Sequence, residues 1–302
     1  MALKDIKAKI KSTERTHKVT RAMEAVSAVK MRKTQSAALA GRPYARAALS
    51  ILARLSGSAD ISRHPLATKR EVKRIALVII TSDKGLAGAL NSGVIKEAAQ
   101  DVAKYAREDV TVFAYGRKGQ EYFARRGYTI AKSLENKGDD IDLSHMEELA
   151  QTLSDGFTKG DFDQALVVYS NFKSTFEQAP TLRTLLPLEL ENIEHLVKDI
   201  VPAKGKYSEP AKVESPAAYE VESATGDVLS TLLPRLVATS LYHMLLETKA
   251  SEHSARMVAM KNASDKSEEV AHDLTRMYNK IRQAAITREV SEIVGGREAL
   301  AA

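Results

Sequence analysis

Helical periodicity over the last third of this 302-residue chain constrains its fold more than any other feature. Between residues 227 and 293, aliphatic side chains recur mostly at three- or four-residue steps, typical of a helix that buries one stripe. The stripe consists of Leu229, Leu232, Leu236, Leu241, Leu245, Val258, Val270, Leu274, Met277 and Ile281. At 1.5 Å per residue this helix would be roughly 100 Å long, so we expect it to need a partner helix. We also expect a kink or restart at Pro234 and a stop at Gly295 and Gly296.

The beginning of the chain offers a matching helix. Its seam residues repeat at the alternating three- and four-residue spacing of a two-helix coiled coil. They are Leu3, Ile6, Ile10, Thr13, His17 and Thr20. The helical pattern continues to about residue 55, with one bend predicted at residues 41–43. We therefore predict an antiparallel coiled coil in which the helix of residues 217–295 pairs with the helix of residues 1–57.

The middle of the chain, residues 74–200, alternates between strand and helix patterns. A continuous aliphatic run at residues 74–81 is typical of a strand covered on both faces. Further strands are predicted at 110–115, 128–133 and 164–169, separated by helices at 91–107, 118–126 and 144–158. This order predicts right-handed crossovers and a mostly parallel sheet, with residues 175–188 as an antiparallel edge strand. The predicted fold class is α/β, with a long antiparallel coiled coil of N- and C-terminal helices plus a central Rossmann-like α/β domain.

The composition excludes several classes of protein. There is no cysteine, so disulfides, thiolate metal sites and cysteine nucleophiles are excluded. The longest aliphatic run is far shorter than the roughly 20 residues needed to cross a bilayer. The net charge of +6 is concentrated in residues 1–33, which carry ten basic and three acidic side chains. Such a helix favours an acidic partner, whether protein, phosphate or anionic lipid, and charge alone leaves that choice open.

Residues 82–88 follow the first strand and precede a helix, which is where α/β proteins place phosphate-binding turns. Ser82, Asp83, Lys84 and Gly85, which open this segment, fit neither the Walker pattern nor the dinucleotide-binding pattern. We therefore favour a tight structural or contact turn over a nucleotide site. The seven histidines form no H-E-x-x-H motif, and local sequence assigns no catalytic set. We expect no catalytic, cofactor-binding or metal-binding residues in this chain.

Three separated groups of residues resemble the gamma subunit of the F-type rotary ATP synthase. They are IKAKIKS at 6–12 with VTRAME at 19–24 and KMRK at 30–33; SDKGL at 82–86 with GALN at 88–91; and ASEHSARMVAMKN at 250–262 with RQA at 282–284, IT at 286–287 and EIV at 292–294. The order and spacing of these groups agree with the family over the whole chain. The resemblance implies the central rotor shaft of the proton-translocating ATP synthase, a non-catalytic subunit that transmits torque from the membrane c-ring to the catalytic beta subunits.

The resemblance also implies contacts at particular residues. Contacts with the catch loop of the beta subunits map to Arg282, Gln283 and Thr287, with Met23 opposite them on the N-terminal helix. Contacts with the acidic lever region of beta map to Lys30, Arg32 and Lys33. Contacts with the c-ring or epsilon map to Tyr219 and Glu220, although Val221 replaces the proline that often follows in the family.

The partners implied by the resemblance are the alpha3-beta3 hexamer, the epsilon subunit and the c-ring of the membrane sector, and they include no nucleic acid. The implied location is the cytoplasmic side of a bacterial inner (plasma) membrane, with peripheral association through those partners. A shaft must be stiff and yet bound loosely enough to turn. Exposed ion pairs stabilise a contact by only about 0 to 1 kcal/mol each, so they bind a partner loosely enough for the shaft to turn. We therefore expect the surface of the shaft to be polar.

Two other classes of function remain open from the residues alone. A basic coiled-coil module could bind nucleic acid or another acidic partner through residues 1–33, and its affinity would then depend steeply on salt. An α/β nucleotide enzyme would instead require saturable binding of ATP by the isolated chain.

Overall fold

The computed structural model describes residues 3–55, 64–136, 143–188 and 225–301. Its helices are α1 (Leu3–Leu55), α2 (Leu90–Val102), α3 (Arg117–Ala124), α4 (Leu143–Lys159) and α5 (Thr225–Ala301). Its strands are β1 (Ile75–Ile80), β2 (Val110–Tyr115), β3 (Thr129–Leu134), β4 (Gln164–Phe172) and β5 (Gln178–Leu186). Short 3-10 turns occupy Pro65–Ala67 and Arg107–Asp109. The chain divides into a helical unit, Met1–Ala28 with Arg256–Ala302, and a sheet unit, Val29–Ala255.

The helical unit contains two matching heptad seams. On α1 the predicted seam residues are buried or half-buried, and residues between them are mostly exposed. On α5 the seam consists of Met260, Ser264, Ser267, Ala271, Leu274, Tyr278, Ile281 and Ala285. The Nδ1 atom of His17 lies 3.0 Å from the carbonyl oxygen of Ser264, which joins the two helices. Small and hydroxyl side chains at several seam positions allow close approach of the two helices.

Two members of the predicted stripe on α5 do not belong to its seam. Val270 is 37% exposed and Met277 is 50% exposed, whereas the adjacent Ala271 and Tyr278 are half-buried. The sequence prediction was wrong at these two positions because it followed large aliphatic residues. The seam instead uses small and aromatic side chains one position further along the helix.

The sheet unit is built on a five-stranded sheet in the order β3-β2-β1-β4-β5. The first four strands are parallel, and β5 pairs with β4 in the antiparallel direction at the edge, as predicted. The central strand β1 is buried at all six positions. Helices α2 and α3 pack on one face of the sheet, and α4 packs on the other. The predicted fold class and sheet topology are therefore confirmed.

The first part of α5 belongs to the core of the sheet unit. Leu229, Leu233, Leu236, Leu241 and Leu245 are buried in the same apolar cluster as α4 and the sheet. The sequence analysis assigned this stretch to the coiled coil with α1. Periodicity identifies a buried helix face, but it does not identify the element that covers that face.

Helix α5 is also more continuous than predicted and extends further at its C-terminal end. Pro234 lies inside it without a restart, and the helix passes through Gly295 and Gly296 to end at Ala301. A proline costs roughly 3 kcal/mol and a glycine about 1 kcal/mol within a helix. Burial of the neighbouring Leu233 and Leu236 offsets part of the free-energy cost of the proline. Likewise, α1 remains helical through residues 41–43, where the sequence predicted a bend.

Candidate functional site

The turn of residues 82–88 leaves the carboxyl end of β1 at a switch point of the sheet. The chain moves from β1 to β2 and β3 on one side and then returns to β4 on the other side. Ligands of open α/β sheets bind outside the carboxyl ends of strands at such a point. The geometry of this turn therefore decides whether the sheet unit offers a phosphate site.

Three backbone donors at or beside this turn are bonded within the protein. The N–H of Ser82 donates to Oδ1 of Asn91 (3.0 Å), and the N–H of Arg117 donates to Oδ1 of Asp83 (2.8 Å). The N–H of Lys118 donates to the carbonyl of Ser82 (3.2 Å). Asp83 is buried, and its carboxylate adds a negative charge to the turn, which disfavours a phosphate there. This arrangement favours the predicted structural or contact turn over a nucleotide site.

A second set of contacts ties the ends of β1, β2 and β3 together. The side chain of Asn136 donates from Nδ2 to the carbonyl oxygen of Thr81 (2.8 Å), and the N–H of Gly116 donates to the carbonyl of Leu134 (2.8 Å). Gly116 has φ +100°, and a Cβ atom there would lie 2.0 Å from the carbonyl oxygen of Thr81. Only glycine fits this close approach. The sequence analysis did not identify Asn136 and Arg117 as contacts of these strand ends. Both residues follow the end of a strand, and that position could have indicated them.

The turn presents one apolar side chain to solvent. Leu86 is 61% exposed and has φ +64°, a conformation that is uncommon for residues other than glycine. Ser82 Oγ donates to the carbonyl of Lys84 (2.7 Å) and accepts from Nδ2 of Asn91 (2.7 Å), which holds the start of the turn in place. Leu86 is therefore an apolar side chain held at the surface by a hydrogen-bonded turn.

The proposed beta-subunit contacts on the helical unit lie in two separate zones. Arg282, Gln283 and Thr287 are exposed on α5, and the hydroxyl of Thr287 donates to the carbonyl of Gln283 (3.0 Å). Met23 is half-buried on α1. From the His17–Ser264 contact, Met23 and Arg282 lie in opposite directions along the antiparallel helices, about 36 Å apart at 1.5 Å per residue. The structure does not bring Met23 opposite Arg282.

The remaining predicted contacts lie in the sheet unit or outside the described residues. On the part of α1 that belongs to the sheet unit, Lys30 is half-buried, and Arg32 and Lys33 are exposed. Tyr219 and Glu220 lie outside the described residues.

Exposed apolar residues on the helical unit were not expected from the sequence. Val19 and Val26 are exposed on α1, and Ile286, Val290, Ile293 and Val294 are exposed on α5. Ion pairs lie near them, including Arg288 with Glu292 (3.6 Å). The surface combines apolar and charged groups and is not simply polar. Exposed apolar side chains grouped along one helix, as those of α5 are, are typical of protein interaction surfaces.

Within residues 3–55, 64–136, 143–188 and 225–301, no three His, Cys, Asp or Glu side chains cluster as a metal site would require. In those same ranges no helix has an apolar stretch long enough to cross a bilayer.

Comparison with known proteins gives a consistent result over the whole chain. The family model for ATP synthase matches residues 2–300. The ATP synthase gamma chain of Pelotomaculum thermopropionicum is 39% identical over 99% of both chains. That of Roseiflexus castenholzii is 39% identical over 99% of this chain and 98% of its own length.

Solved structures show the same fold. A chain from the central stalk and c-ring of the Tetrahymena thermophila mitochondrial ATP synthase matches with a TM-score of 0.60 and 25% identity, covering 82% of this chain and 99% of that chain. A chain of the Euglena gracilis mitochondrial ATP synthase matches with a TM-score of 0.63 and 17% identity, covering 99% and 94%. A unit of paired terminal helices and a unit with a Rossmann-like sheet together have the α/β coiled-coil fold of an ATP synthase subunit. The chain belongs to the ATP synthase gamma chain family.

Proposed function

We propose that this chain is the central rotor shaft of a proton-translocating ATP synthase. It transmits torque from the membrane c-ring to the catalytic beta subunits and is not itself catalytic. The observation that carries this proposal is the pairing of the two chain ends, marked by the contact between His17 and Ser264. A chain whose first and last segments form one coiled coil has the axial stiffness that a shaft needs.

The two contact zones of the helical unit support a shaft enclosed by partners over much of its length. The zone of Arg282, Gln283 and Thr287 offers a planar guanidinium that can hold a carboxylate at two points. The zone of Met23 lies about 36 Å away along the coiled coil, a distance set by the helical rise. A partner that touches both zones must do so with different parts of its structure. A ring of alpha and beta subunits meets this requirement.

The exposed apolar side chains near the end of α5 extend this interpretation. Ile286, Val290 and Ile293 follow one another at three- and four-residue steps, so they lie on one helix face. We assign this face to the inner surface of the alpha3-beta3 hexamer. A smooth apolar contact without directional hydrogen bonds permits rotation, because apolar attraction depends little on orientation.

The basic cluster of α1 has a different role. Lys30, Arg32 and Lys33 face the acidic lever region of the beta subunits, and their charge steers this contact. The contact turn with Ser82, Asp83, Lys84 and Gly85 presents the exposed Leu86 to a partner subunit.

The lower partners of the shaft are the epsilon subunit and the c-ring, with Tyr219 and Glu220 at the c-ring or epsilon contact. Through these partners, the chain associates peripherally with the cytoplasmic side of a bacterial inner membrane. No nucleic acid takes part. The family membership and the 39% identity to bacterial gamma chains support these assignments.

Purification from membranes tests the proposal. The tagged chain should recover one copy of itself with three copies each of two larger nucleotide-binding proteins, and a probe on the chain should rotate when ATP is added. Recovery of the chain alone, or a complex without ATP-driven rotation, would contradict the proposal. Binding to nucleic acid that falls steeply with salt would favour the basic-module alternative instead.

A further inference from the structure

Three hydroxyl side chains of α5 bind the backbone of the sheet unit. Thr248, Ser251 and Ser254, here called the hydroxyl triplet, are three residues apart and fully buried. Oγ1 of Thr248 accepts from the N–H of Ser170 (3.3 Å), and Oγ of Ser251 donates to the carbonyl of Ser170 (3.1 Å). Oγ of Ser254 donates to the carbonyl of Thr175 (2.6 Å). The triplet therefore connects one helix face to the end of β4 and the following turn.

The backbone of Ser170 lies beyond the paired part of β1 and opposite a residue that cannot donate a hydrogen bond. Pairing of β4 with β1 ends at Val168, two residues earlier. On the other side, the register partner of Ser170 is Pro180, which has no N–H to donate. A buried backbone group left without a partner is costly, so the contacts with Thr248 and Ser251 have a structural reason.

The direction of each bond is set by local chemistry. A Ser or Thr within a helix usually donates back to the carbonyl four residues earlier. Thr248 does so, donating to the carbonyl of Met244 (2.9 Å), and this leaves its oxygen lone pairs to accept from Ser170. Ser251 and Ser254 instead donate outward to the sheet unit. Together the triplet presents one acceptor and two donors along a single face of α5.

We propose that the hydroxyl triplet prevents α5 from rotating about its own axis relative to the sheet, so that torque applied to the sheet passes into the helix. This inference rests on the proposed rotor function. The leucines of α5 at 229, 233, 236, 241 and 245 hold the helix to the sheet, but apolar contacts are non-directional. Hydrogen bonds weaken steeply when their angle changes, and they therefore resist a small turn of the helix.

The decisive experiment measures torsional stiffness in the assembled complex. The triple variant Thr248→Val, Ser251→Ala, Ser254→Ala is compared with wild type, each carrying a bead on a single Arg125→Cys label. The chain has no other cysteine, and Arg125 is exposed. With the catalytic sites locked by a non-hydrolysable nucleotide, the angular variance of the bead should rise about twofold in the triple variant, because three directional bonds are lost.

A matched control separates this effect from general loss of stability. Thr239 lies on the same helix, and its hydroxyl donates to the carbonyl of Arg235 within α5 (2.8 Å). Thr239→Val should leave the angular variance at the wild-type value. If the triple variant only lowers the unfolding temperature and keeps the wild-type variance, the triplet is merely structural and the inference fails.

A second measurement covers the case in which the triple variant does not assemble. Thr248→Val nearly keeps the shape of the side chain but removes the acceptor of the Ser170 N–H. Hydrogen exchange of that amide in the full complex should accelerate at least about threefold, and Thr248→Ser should restore it. Unchanged exchange in Thr248→Val would overturn the inference. A wild-type complex that does not rotate would instead contradict the proposed function itself.

Discussion

The imidazole of His17 lies within hydrogen-bonding distance of both the carbonyl oxygen (3.0 Å) and the hydroxyl (3.1 Å) of Ser264, a residue 247 positions away in sequence. Ser264 is buried in the seam of the helical unit, and His17 is half-buried there. A polar residue at a seam position fixes the register of two helices, because only one alignment satisfies its hydrogen bond. This pair therefore sets which residues of α1 and α5 lie side by side.

Replacing His17 should weaken the helical unit measurably. His17→Ala removes the side chain that binds Ser264 and should lower the free energy of unfolding by about 1 kcal/mol. His17→Gln keeps a donor and should lose less. Urea denaturation of the full chain, followed by circular dichroism, measures the change. His272→Ala is the control, because the side chain of His272 is 71% exposed. Equal effects of His17→Ala and His272→Ala would show that the seam contact has no energetic role.

The double variant Arg282→Ala with Gln283→Ala should weaken binding to the alpha3-beta3 hexamer about tenfold, since truncation of an interface arginine commonly costs 1–2 kcal/mol. Arg282→Lys should be intermediate because it keeps the charge and loses the planar fork. Both residues are exposed, so the fold of the chain should be unaffected. Titration of labelled chain into purified hexamer measures the dissociation constant. Arg276→Ala, an exposed arginine on the same helix, serves as the reference, and an equal loss there would remove the special role of Arg282.

Gly116 should tolerate no side chain. A Cβ atom there would lie 2.0 Å from the carbonyl oxygen of Thr81, and the backbone has φ +100°. Gly116→Ala should therefore destabilise the sheet unit by roughly 3 kcal/mol or more. At Gly85 a Cβ atom would meet nothing within 4 Å, so Gly85→Ala should change stability by less than about 0.5 kcal/mol. Thermal unfolding of the two variants tests the contrast, and similar unfolding temperatures would refute it.

Asp163 should make stability depend on pH at the acid end. Partial burial raises the pKa of its carboxyl, but the backbone N–H donors of Arg74 and Lys73 outweigh burial and hold the pKa below its ordinary value. The pKa of Asp163 is lower in the folded state than in the unfolded state. The carboxylate therefore stabilises the fold fully above the unfolded-state pKa, and this stabilisation is lost as the pH falls through the folded-state pKa.

The pH dependence of unfolding measures this contribution. Asp163→Asn should be less stable than wild type at neutral pH, and the difference should shrink below about pH 4, where an unperturbed carboxyl protonates. Glu97→Gln, at an exposed position on α2, is the control. A constant difference between Asp163→Asn and wild type at every pH would contradict the assigned cause.

Several elements could be predicted because their signals are local. The seam on α1 followed from the spacing of Leu3, Ile6 and Ile10, and β1 followed from an uninterrupted aliphatic run. Val270 and Met277 were misassigned because side-chain size was taken as the sign of burial. In this seam Ala271 and Tyr278 take those places, since the distance between two helices decides which side chains fit.

The candidate site was less predictable than the fold. The turn after β1 could be located from its sequence, but its partners Asn91, Arg117 and Asn136 come from three other parts of the chain. Their convergence depends on the order of the strands in the sheet. The contacts proposed for Met23 and Arg282 could be named from family resemblance, but their axial separation of about 36 Å required the register fixed by His17.

Periodicity by itself determined that both chain ends are long helices with one buried face and that the middle is a mainly parallel sheet, because these patterns follow from the geometry of one helix or strand. Only the tertiary structure decided what covers each face. It divided α5 between the sheet core near Leu241 and the seam near Ser264. It also turned Thr248, Ser251 and Ser254 from ordinary helix residues into hydrogen-bond partners of β4. Partner choice depends on distances between segments far apart in sequence, and no local pattern contains those distances.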